Sequence, residues 1–347
     1  MARPIELRSD NAAGVAPELM QAVVDANVGS ALAYGDDDLT VRLRDTVAEV
    51  FEHPDVTVYP VTSGTAANSL ALSAMCPPWG SILCHDTAHI MRSECGATSM
   101  FGGGAVMAGL PGPDYRLIPA AVETAFAATR WGDPHHSQPS VVSLTCPTDH
   151  GTIYTVDEVT ALAATARSRA LRVHLDGARF ANAVAALGCS PADLTWRAGV
   201  DVFSLGGIKN GAMNADAIVC FDPSLGESLK YRVKRSGHVA SKMRFQSAQL
   251  QRYLTGGLWL QLAAQANRTM AALASGLADL DVRLLNDAQV NMVFAELPAP
   301  VIDRLLADDL LFYRMSHTAI RLVTSFQTTD ADVIEILRRF SRALAAN

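Results

Sequence analysis

The sequence predicts an α/β protein with a mostly parallel sheet, followed by a smaller α+β domain. In the middle of the chain, short β-branched runs alternate with longer helical patterns, and this rhythm is typical of strands joined by crossover helices. Several of the runs are apolar at every position, as strands covered by helices on both faces are. The chain has 347 residues, 49% of them hydrophobic and 18% charged, which is enough core material for two domains.

The predicted strands and helices of the main sheet alternate along the chain. The strands cover residues 57–61, 81–84, 141–145, 172–175, 200–205 and 217–221, and the helices cover residues 66–75, 119–129, 157–169 and 191–198. Thr155 and Glu158 have the spacing of a capping box, in which each side chain bonds the backbone N–H of the other. This pair predicts where the third helix begins.

After about residue 230 the pattern changes. A long helical region covers residues 242–280, two strands cover residues 290–297 and 319–323, and a last amphipathic helix covers residues 331–344. We therefore predict three parts. An N-terminal arm over residues 1–15 contributes to the functional site, a large cofactor-binding domain covers residues 16–240, and a small domain covers residues 241–347.

Composition and charge exclude several classes of function. The formal net charge is −7, whereas binding to nucleic acid needs a clustered basic face. The six cysteines form no CxxC pair and no cluster with zinc spacing, which indicates reduced thiols and no metal site. The first ten residues lack the apolar core of a secretory signal, and no run of about 18 apolar residues could cross a membrane. We therefore expect a cytoplasmic protein that binds neither nucleic acid nor a membrane.

One local stretch is nevertheless basic. It is either a solvated helix face or a site for a small anion. Its cationic residues are Lys230, Arg232, Lys234, Arg235, Lys242 and Arg244.

Three chemical signals follow predicted strands, and the first is a small polar loop. Ser63, Gly64 and Thr65 come after the strand over residues 57–61 and lead directly into a helix. Backbone N–H groups at a helix N-terminus, together with hydroxyl groups, can hold a phosphate. The alternative is a plain N-capped helix. The loop is not a Walker A motif, because no Gly-Lys-Ser/Thr follows.

The second signal is an Asp/Arg pair. Asp176 and Arg179 follow the strand over residues 172–175. A carboxylate at this position could keep a pyridine nitrogen protonated, and the arginine could bind a substrate carboxylate or a ring oxygen. Taken alone, Asp176 could instead be the N-cap of the next helix.

The third signal is a lysine in a glycine-rich loop. Lys209 lies between Gly207 and Gly211, directly after a buried strand, although most lysines are solvated surface residues. Desolvation in such a loop lowers the pKa of an amine, as Schiff-base chemistry requires.

Histidines add a possible proton carrier. His85 and His89 follow the strand over residues 81–84, and one of them could lie on the face of a flat cofactor or move a proton. His135 and His136 precede a strand, so they lie at the opposite end of the sheet unless their loop folds over. In an open α/β sheet the ligand binds at the carboxyl ends of the strands. A loop that can hold a phosphate, an Asp/Arg pair and a buried lysine at that edge together indicate pyridoxal 5′-phosphate.

The motifs in which these residues stand resemble those of the low-specificity L-threonine aldolases, which are fold type I pyridoxal-phosphate enzymes. Their order along the chain is the same as in that family, and the subgroup with Gly-Gly-x-Lys-Asn-Gly, which includes phenylserine-cleaving aldolases, is the most similar. The matching stretches cover residues 7–11, 33–37, 63–68, 87–89, 174–179, 206–211, 241–245 and 320–324.

The resemblance implies roles around the cofactor. Gly64 and Thr65, next to Ser63, would hold the phosphate, and His89 would stack on the ring. Asp176 would meet the pyridine nitrogen, and Lys209 would form the Schiff base.

The resemblance also implies how a substrate would be held. Ser9, Arg179 and Arg321 would clamp the substrate carboxylate, and His135 would lie near the substrate hydroxyl. Tyr34 would reach the substrate and Arg244 the cofactor in a neighbouring subunit, because family sites lie at dimer interfaces within homotetramers.

The implied reaction is retro-aldol cleavage of L-3-hydroxy-amino acids such as L-threonine, L-allo-threonine or phenylserine to glycine and an aldehyde. His89 or His135, directly or through a water, would remove the hydroxyl proton. One departure is Ile208, since many relatives have Ser or Thr directly before the lysine. The alternatives are β-elimination or racemisation on the same scaffold, or a non-catalytic regulator. A Rossmann nucleotide binder is the least favoured alternative, because no GxGxxG motif opens a helix after the first strand.

Overall fold

The computed structural model describes residues 4–346, so residues 1–3 of the predicted arm and residue 347 of the predicted small domain lie outside the described part. The described part starts with the short strand β1 (Ile5–Glu6) and a 3₁₀ turn over Asp10–Ala12. Two helices follow, α1 (Pro17–Asp25) and α2 (Asp38–Val50). Pro17 opens α1, because proline lacks the N–H that is unpaired in a first helical turn anyway.

The main sheet confirms the predicted architecture. Within residues 4–346 it has seven strands, in the order β2-β8-β7-β6-β5-β3-β4. The strands β2 to β7 run in one direction, and β8 alone runs against both of its neighbours. The sheet is therefore mostly parallel. Its strands are β2 (Thr57–Val61), β3 (Gly80–His85), β4 (Val106–Leu110), β5 (Gln138–Thr145), β6 (Arg172–Gly177), β7 (Val202–Leu205) and β8 (Asp216–Cys220).

The strand β4 was not predicted from the sequence. This strand lies at the edge of the sheet and pairs with β3 alone. Its five residues include Gly109, and none of them is fully buried. An edge strand that is neither continuously apolar nor cleanly alternating has no clear signal in the sequence.

Helices cover both faces of the sheet. The buried, alanine-rich α3 packs on one face, while α7 and α8 pack on the other. The capping box of Thr155 and Glu158 is present at the start of α7, as predicted. The helices are α3 (Gly64–Met75), α4 (His89–Arg92), α5 (Ala97–Phe101), α6 (Pro119–Ala128), α7 (Val156–Ser168), α8 (Phe180–Leu187) and α9 (Pro223–Arg235).

The predicted helix over residues 191–198 is wrong, because this segment forms a series of turns. The backbone N–H groups of Arg197 and Val200 reach back five residues, to Ala192 and Thr195, instead of four. A helix needs the four-residue bond at each step. The apolar residues of the segment are buried nevertheless, which accounts for the helical pattern in the sequence.

The C-terminal part combines helices with a small antiparallel sheet in the order β12-β13-β10-β9. The strand β11 pairs in parallel with β1, so the N-terminal arm is attached to this part. The elements are α10 (Arg244–Leu254), α11 (Leu258–Asp279), β9 (Arg283–Leu284), β10 (Met292–Glu296), α12 (Ala299–Ala307), β11 (Leu310–Leu311), β12 (Tyr313–Arg314), β13 (Ala319–Val323) and α13 (Asp330–Ala345).

Two hydrophobic cores meet along α11. Tyr253 of α10 and Trp259 at the start of α11 pack into the core of the main sheet. Met270 and Leu277, further along α11, pack into the core of the small sheet. The division at residue 240 therefore remains a prediction. Within residues 4–346, no helix is both long and apolar enough to cross a bilayer.

Candidate active site

A cavity of about 260 Å³ opens at the edge of the main sheet where the parallel strands end and β8 begins. This is the edge at which open α/β sheets bind their ligands. Each of the three predicted signals contributes to it. The lining residues are Asn11, Ser63, Gly64, Thr65, Asn68, His89, Glu94, Asp176, Ala178, Ile208, Lys209 and Asp216.

Lys209 lies on a short 3₁₀ turn (Ile208–Asn210) directly after β7. Its neighbour Asn210 donates hydrogen bonds to the Tyr253 hydroxyl and the Trp259 carbonyl, each 2.8 Å long. These bonds anchor the turn to the core. Burial lowers the pKa of Lys209, and the nearby Arg179 guanidinium lowers it further. The cavity therefore favours the unprotonated amine, which is the nucleophilic form.

Asp176 ends β6 and is 2% exposed. Its Oδ1 accepts the Ala178 N–H at 3.1 Å, and its Oδ2 accepts the Asn68 amide at 3.0 Å. Asp176 is not a helix N-cap, because α8 begins at Phe180 and Arg179 precedes it as the cap. The carboxylate therefore lines the cavity, as the cofactor hypothesis requires.

The polar loop before α3 has both of the features that the sequence left as alternatives. Ser63 is the N-cap of α3, and its hydroxyl accepts the Ala66 N–H at 3.2 Å. Ser63, Gly64 and Thr65 also line the cavity. The N-terminus of α3 thus points the positive end of a buried helix at this space, where an anion is stabilised.

His89 stands at the wall of the cavity as the first residue of α4. Its Nδ1 lies 2.9 Å from Oε1 of Glu94, whose side chain is fully buried. The same oxygen accepts the Asn68 amide at 2.9 Å. The hydrogen bond with Glu94 raises the pKa of His89, although burial opposes it. The sequence analysis did not identify Asn68 or Glu94.

Arg179 is held by a partner that the sequence analysis also missed. Its Nε and Nη2 donate to the two oxygens of Asp10 at 2.6 and 2.9 Å, and both side chains are buried. Burial alone would raise the pKa of Asp10, but the Arg179 guanidinium holds it below its usual value. Asn291 donates to the same carboxylate at 3.0 Å. Two of the donors predicted to clamp a substrate are therefore already engaged.

Arg321 has more freedom. It lies on β13, and its Nη2 donates to the Arg8 carbonyl at 3.1 Å. Its Nε is buried without a hydrogen-bond partner among the described residues. Ser9, close to it in the N-terminal arm, caps the 3₁₀ turn by accepting the Asn11 N–H. Arg321 and Ser9 lie beside the Arg179–Asp10 pair and do not themselves line the cavity.

Three predicted site residues lie away from the cavity within one chain. Tyr34 is 56% exposed, with the Lys234 amine 4.5 Å from its ring centre. Arg244 borders a separate surface depression at the start of α10. His135 is exposed in the loop before β5, where Gln138 bonds the Trp79 carbonyl at the amino ends of the strands. The structure does not bring His135 to the carboxyl edge.

The residues present fit pyridoxal 5′-phosphate. A carboxylate for the pyridine nitrogen, an amine for the aldehyde carbon and a helix N-terminus for the phosphate all line one cavity. Oε2 of Glu94 and Oδ1 of Asn68 are buried in its wall without a hydrogen-bond partner in the described part of the chain. Among residues 4–346, no group of three His, Cys, Asp or Glu side chains could hold a metal ion.

Comparison with known proteins places the chain in a family. Residues 6–299 match the family described as Beta-eliminating lyase. The chain belongs to the beta-eliminating lyase family. Among its relatives, the low specificity L-threonine aldolase of Pseudomonas sp. (strain NCIMB 10558) is 39% identical over 98% of both chains. The protein of the same name from Pseudomonas aeruginosa is 40% identical, again over 98% of both.

Solved structures agree with this family assignment. The threonine aldolase of Leishmania major superposes with a TM-score of 0.91 at 26% identity, covering 96% of this chain and 98% of that one. The serine palmitoyltransferase of Sphingomonas wittichii has a TM-score of 0.73 at 16% identity, and the superposition covers 99% of this chain and 88% of that one. That second likeness shows a shared fold alone. The predicted fold class, fold type I, is confirmed.

The structure also accounts for Ile208, the departure from the family motif. Its backbone N–H donates to Oδ1 of Asp216 at 3.0 Å, and the Gly207 N–H donates to the same oxygen at 2.8 Å. The lysine loop of this family member is thus held by a buried carboxylate, without a hydroxyl on residue 208. The sequence analysis did not identify Asp216.

Proposed function

We propose that this chain cleaves L-3-hydroxy-amino acids to glycine and an aldehyde by a retro-aldol reaction, with pyridoxal 5′-phosphate attached to Lys209. The observation that carries the proposal is that Lys209, Asp176 and the N-terminus of α3 line one cavity. Full-length relatives at 39% and 40% identity are named for this activity. When bound, the cofactor accepts the electron pair released as the Cα–Cβ bond breaks.

Asp176 supports this chemistry by holding a proton on a pyridine nitrogen. Its two oxygens are fixed by Ala178 and Asn68, so its position is set before a ligand arrives. A buried carboxylate opposite a pyridinium N–H stabilises the charged ring, which makes the ring a better electron acceptor.

Arg321 supplies the substrate-carboxylate contact in our proposal. Arg321 donates one hydrogen bond, to a backbone carbonyl, whereas Arg179 uses two donors on Asp10, so Arg321 is the less engaged of the two guanidinium groups. Binding the carboxylate would fix the orientation of the substrate in the cavity. Orientation of this kind supplies roughly 7–11 kcal/mol in favourable cases. We propose that Ser9 assists Arg321, and that Arg179 keeps Asp10 and the N-terminal arm in place.

His89 is the base within one chain. Glu94 occupies its Nδ1, so Nε2 is the nitrogen that accepts the β-hydroxyl proton, directly or through a water. His135 lies at the other edge of the sheet in the same chain, and it could act only in the site of another subunit.

We further propose a cytoplasmic homotetramer in which Tyr34 and Arg244 complete a neighbour's site. Both side chains lie outside the cavity of their own chain. Mixing inactive K209A and R244A chains tests this. If sites are shared, hybrid oligomers regain activity because some of their sites contain both intact residues. Inactive hybrids would contradict the arrangement.

A panel assay tests the reaction itself. The holoenzyme is incubated with L-threonine, L-allo-threonine and phenylserine, and aldehyde and glycine are measured. Release of both in equal amounts is the expected result. The family description favours β-elimination as a second candidate, and it would yield a 2-keto acid and ammonia. Inversion at Cα alone would indicate a racemase, and no product would indicate a regulator.

A further inference from the structure

A buried carboxylate lines the cavity close to both the lysine loop and α3. Asp216 is the first residue of β8, the only strand of the main sheet that starts at the ligand edge. It is 5% exposed and lines the cavity together with Ser63, Gly64 and Thr65. None of the mechanistic steps above uses this side chain.

The two oxygens of Asp216 face different elements. Oδ1 accepts the N–H groups of Gly207 and Ile208 at 2.8 and 3.0 Å. Oδ2 lies 3.8 Å from the point that a Cβ atom on Gly64 would occupy. It is therefore directed at the first turn of α3, the place where the cofactor phosphate is expected.

A carboxylate and a phosphate dianion in one buried space repel each other. The N-terminus of α3 attracts either anion, but it does not remove the repulsion between them. When two anionic groups share a buried space, a proton held between them lowers the repulsion, as in other buried acid pairs. A phosphate bound at the first turn of α3 would therefore favour the protonated form of Asp216.

The surroundings favour protonation of the carboxyl group. Burial raises the pKa of Asp216, and Asp176 on β6 raises it further, while the two backbone N–H groups and Lys209 oppose this. The other ionisable side chains lining the cavity are Glu94 and His89. On the side of β2, His238 contacts the Thr62 hydroxyl at 3.3 Å. Lys209 is thus the only amine that lines the described cavity.

We propose that Asp216 is a phosphate-binding residue that acts in its protonated form, with Oδ1 holding the lysine loop and the Oδ2 hydroxyl donating to a phosphate oxygen. The inference rests on the proposed cofactor. Many relatives have the hydroxyl of a Ser or Thr directly before the lysine, where this chain has Ile208. In our proposal, the protonated carboxyl group of Asp216 replaces that hydroxyl as a hydrogen-bond donor to the phosphate. Affinity for the phosphate group then decreases once Asp216 ionises.

The test compares two probes that differ only in the phosphate, pyridoxine 5′-phosphate and pyridoxine, neither of which forms a Schiff base. Dissociation constants are measured by calorimetry for wild type and D216N between about pH 6 and pH 9. Asparagine accepts the same backbone N–H groups and donates from Nδ2 at every pH. D216N should therefore bind pyridoxine 5′-phosphate at least about tenfold more tightly than wild type at the highest pH. At the lowest pH, wild type and D216N should have the same dissociation constant for pyridoxine 5′-phosphate. For pyridoxine, the two proteins should have the same dissociation constant at every pH.

D201N is the matched control. Asp201 also accepts a backbone N–H, from Val173 at 2.7 Å, but it lies at the opposite edge of the sheet. The D201N variant should therefore bind both probes as wild type does. The proposal would be overturned if the ratio of the wild-type and D216N dissociation constants for pyridoxine 5′-phosphate did not change with pH. So would weaker binding by D216N throughout, or an equal change for pyridoxine.

A second measurement needs no variant. Wild type titrated with pyridoxine 5′-phosphate at about pH 9, in buffers of different ionisation enthalpy, should take up close to one proton more than with pyridoxine. Equal uptake for the two probes would contradict a protonated Asp216. Failure of the proposed cofactor site is distinguishable from these outcomes, because wild type would then show no lysine-bound absorption band with pyridoxal 5′-phosphate. Failure of the proposed reaction alone would instead appear in the products of the panel assay.

Discussion

The Nδ1 atom of His89 lies 2.9 Å from Oε1 of Glu94, and both residues line the cavity. Asn68 donates one hydrogen bond to the same oxygen and another to Asp176. Two polar side chains, Glu94 and Asn68, therefore join the histidine to the Asp176 carboxylate. Because Nδ1 is occupied, proton exchange with a substrate takes place at Nε2.

Replacing Glu94 should change the pH dependence of the reaction. The hydrogen bond with Glu94 raises the pKa of His89, and a base must be neutral, so activity decreases as pH falls through this raised value. In E94Q the negative charge is lost and the pKa of His89 decreases. The acidic limb of kcat/KM for L-threonine should therefore move to lower pH by about one unit.

The control for this prediction is E123Q. Glu123 pairs with Arg169 on the surface, so this variant should keep the wild-type pH profile. An acidic limb that stays unchanged in E94Q would show that His89 is not the titrating base.

Removing the lysine should abolish both cofactor attachment and cleavage. In K209A no amine can form the Schiff base, so the absorption band of the lysine-bound cofactor and nearly all retro-aldol activity should disappear. Absorption spectra and aldehyde release measure the two effects. K230A, which changes an exposed lysine on α9, should behave as wild type. Retention of the band and of activity in K209A would contradict the assignment.

Arg321 and Arg179 should give different defects. R321A should raise KM for L-threonine by about tenfold or more, because a charge-assisted contact to the substrate carboxylate is lost. Its melting temperature should change little. R179A should unfold at a lower temperature, since it leaves Asp10 buried without its cation. An unchanged KM in R321A would mean that another residue binds the carboxylate.

The Asp10–Arg179 pair should also make stability depend on pH. D10N should lower the free energy of unfolding by about 3–5 kcal/mol near neutral pH, because the guanidinium stays buried without its partner. The pKa of Asp10 is lowered in the folded state, so its contribution is present above the usual carboxyl pKa and is lost as pH falls through the lowered value. The difference between wild type and D10N, measured by urea unfolding, should narrow below about pH 4. A constant difference would argue against an ionised Asp10.

Local sequence patterns were sufficient for six of the seven described strands of the main sheet. The strands over residues 57–61 and 319–323 were predicted at their observed bounds. Thr155 and Glu158 marked the start of α7 correctly. These features depend on neighbours within a few residues, such as apolar periodicity and capping. The failures, β4 and residues 191–198, are segments where edge position or packing outweighs the local pattern.

By itself, the sequence determined the sheet and the residues that follow its strands, including Lys209, Asp176 and Ser63, because parallel strands end at a common edge. Only the tertiary structure decided which polar side chains meet there. Asp10 contacts Arg179 and Asn291 across 169 and 281 positions of the chain, and Glu94 and Asp216 are polar residues without a local motif. It also left His135 at the far edge. Such contacts depend on how distant segments pack, and no spacing along the chain encodes that.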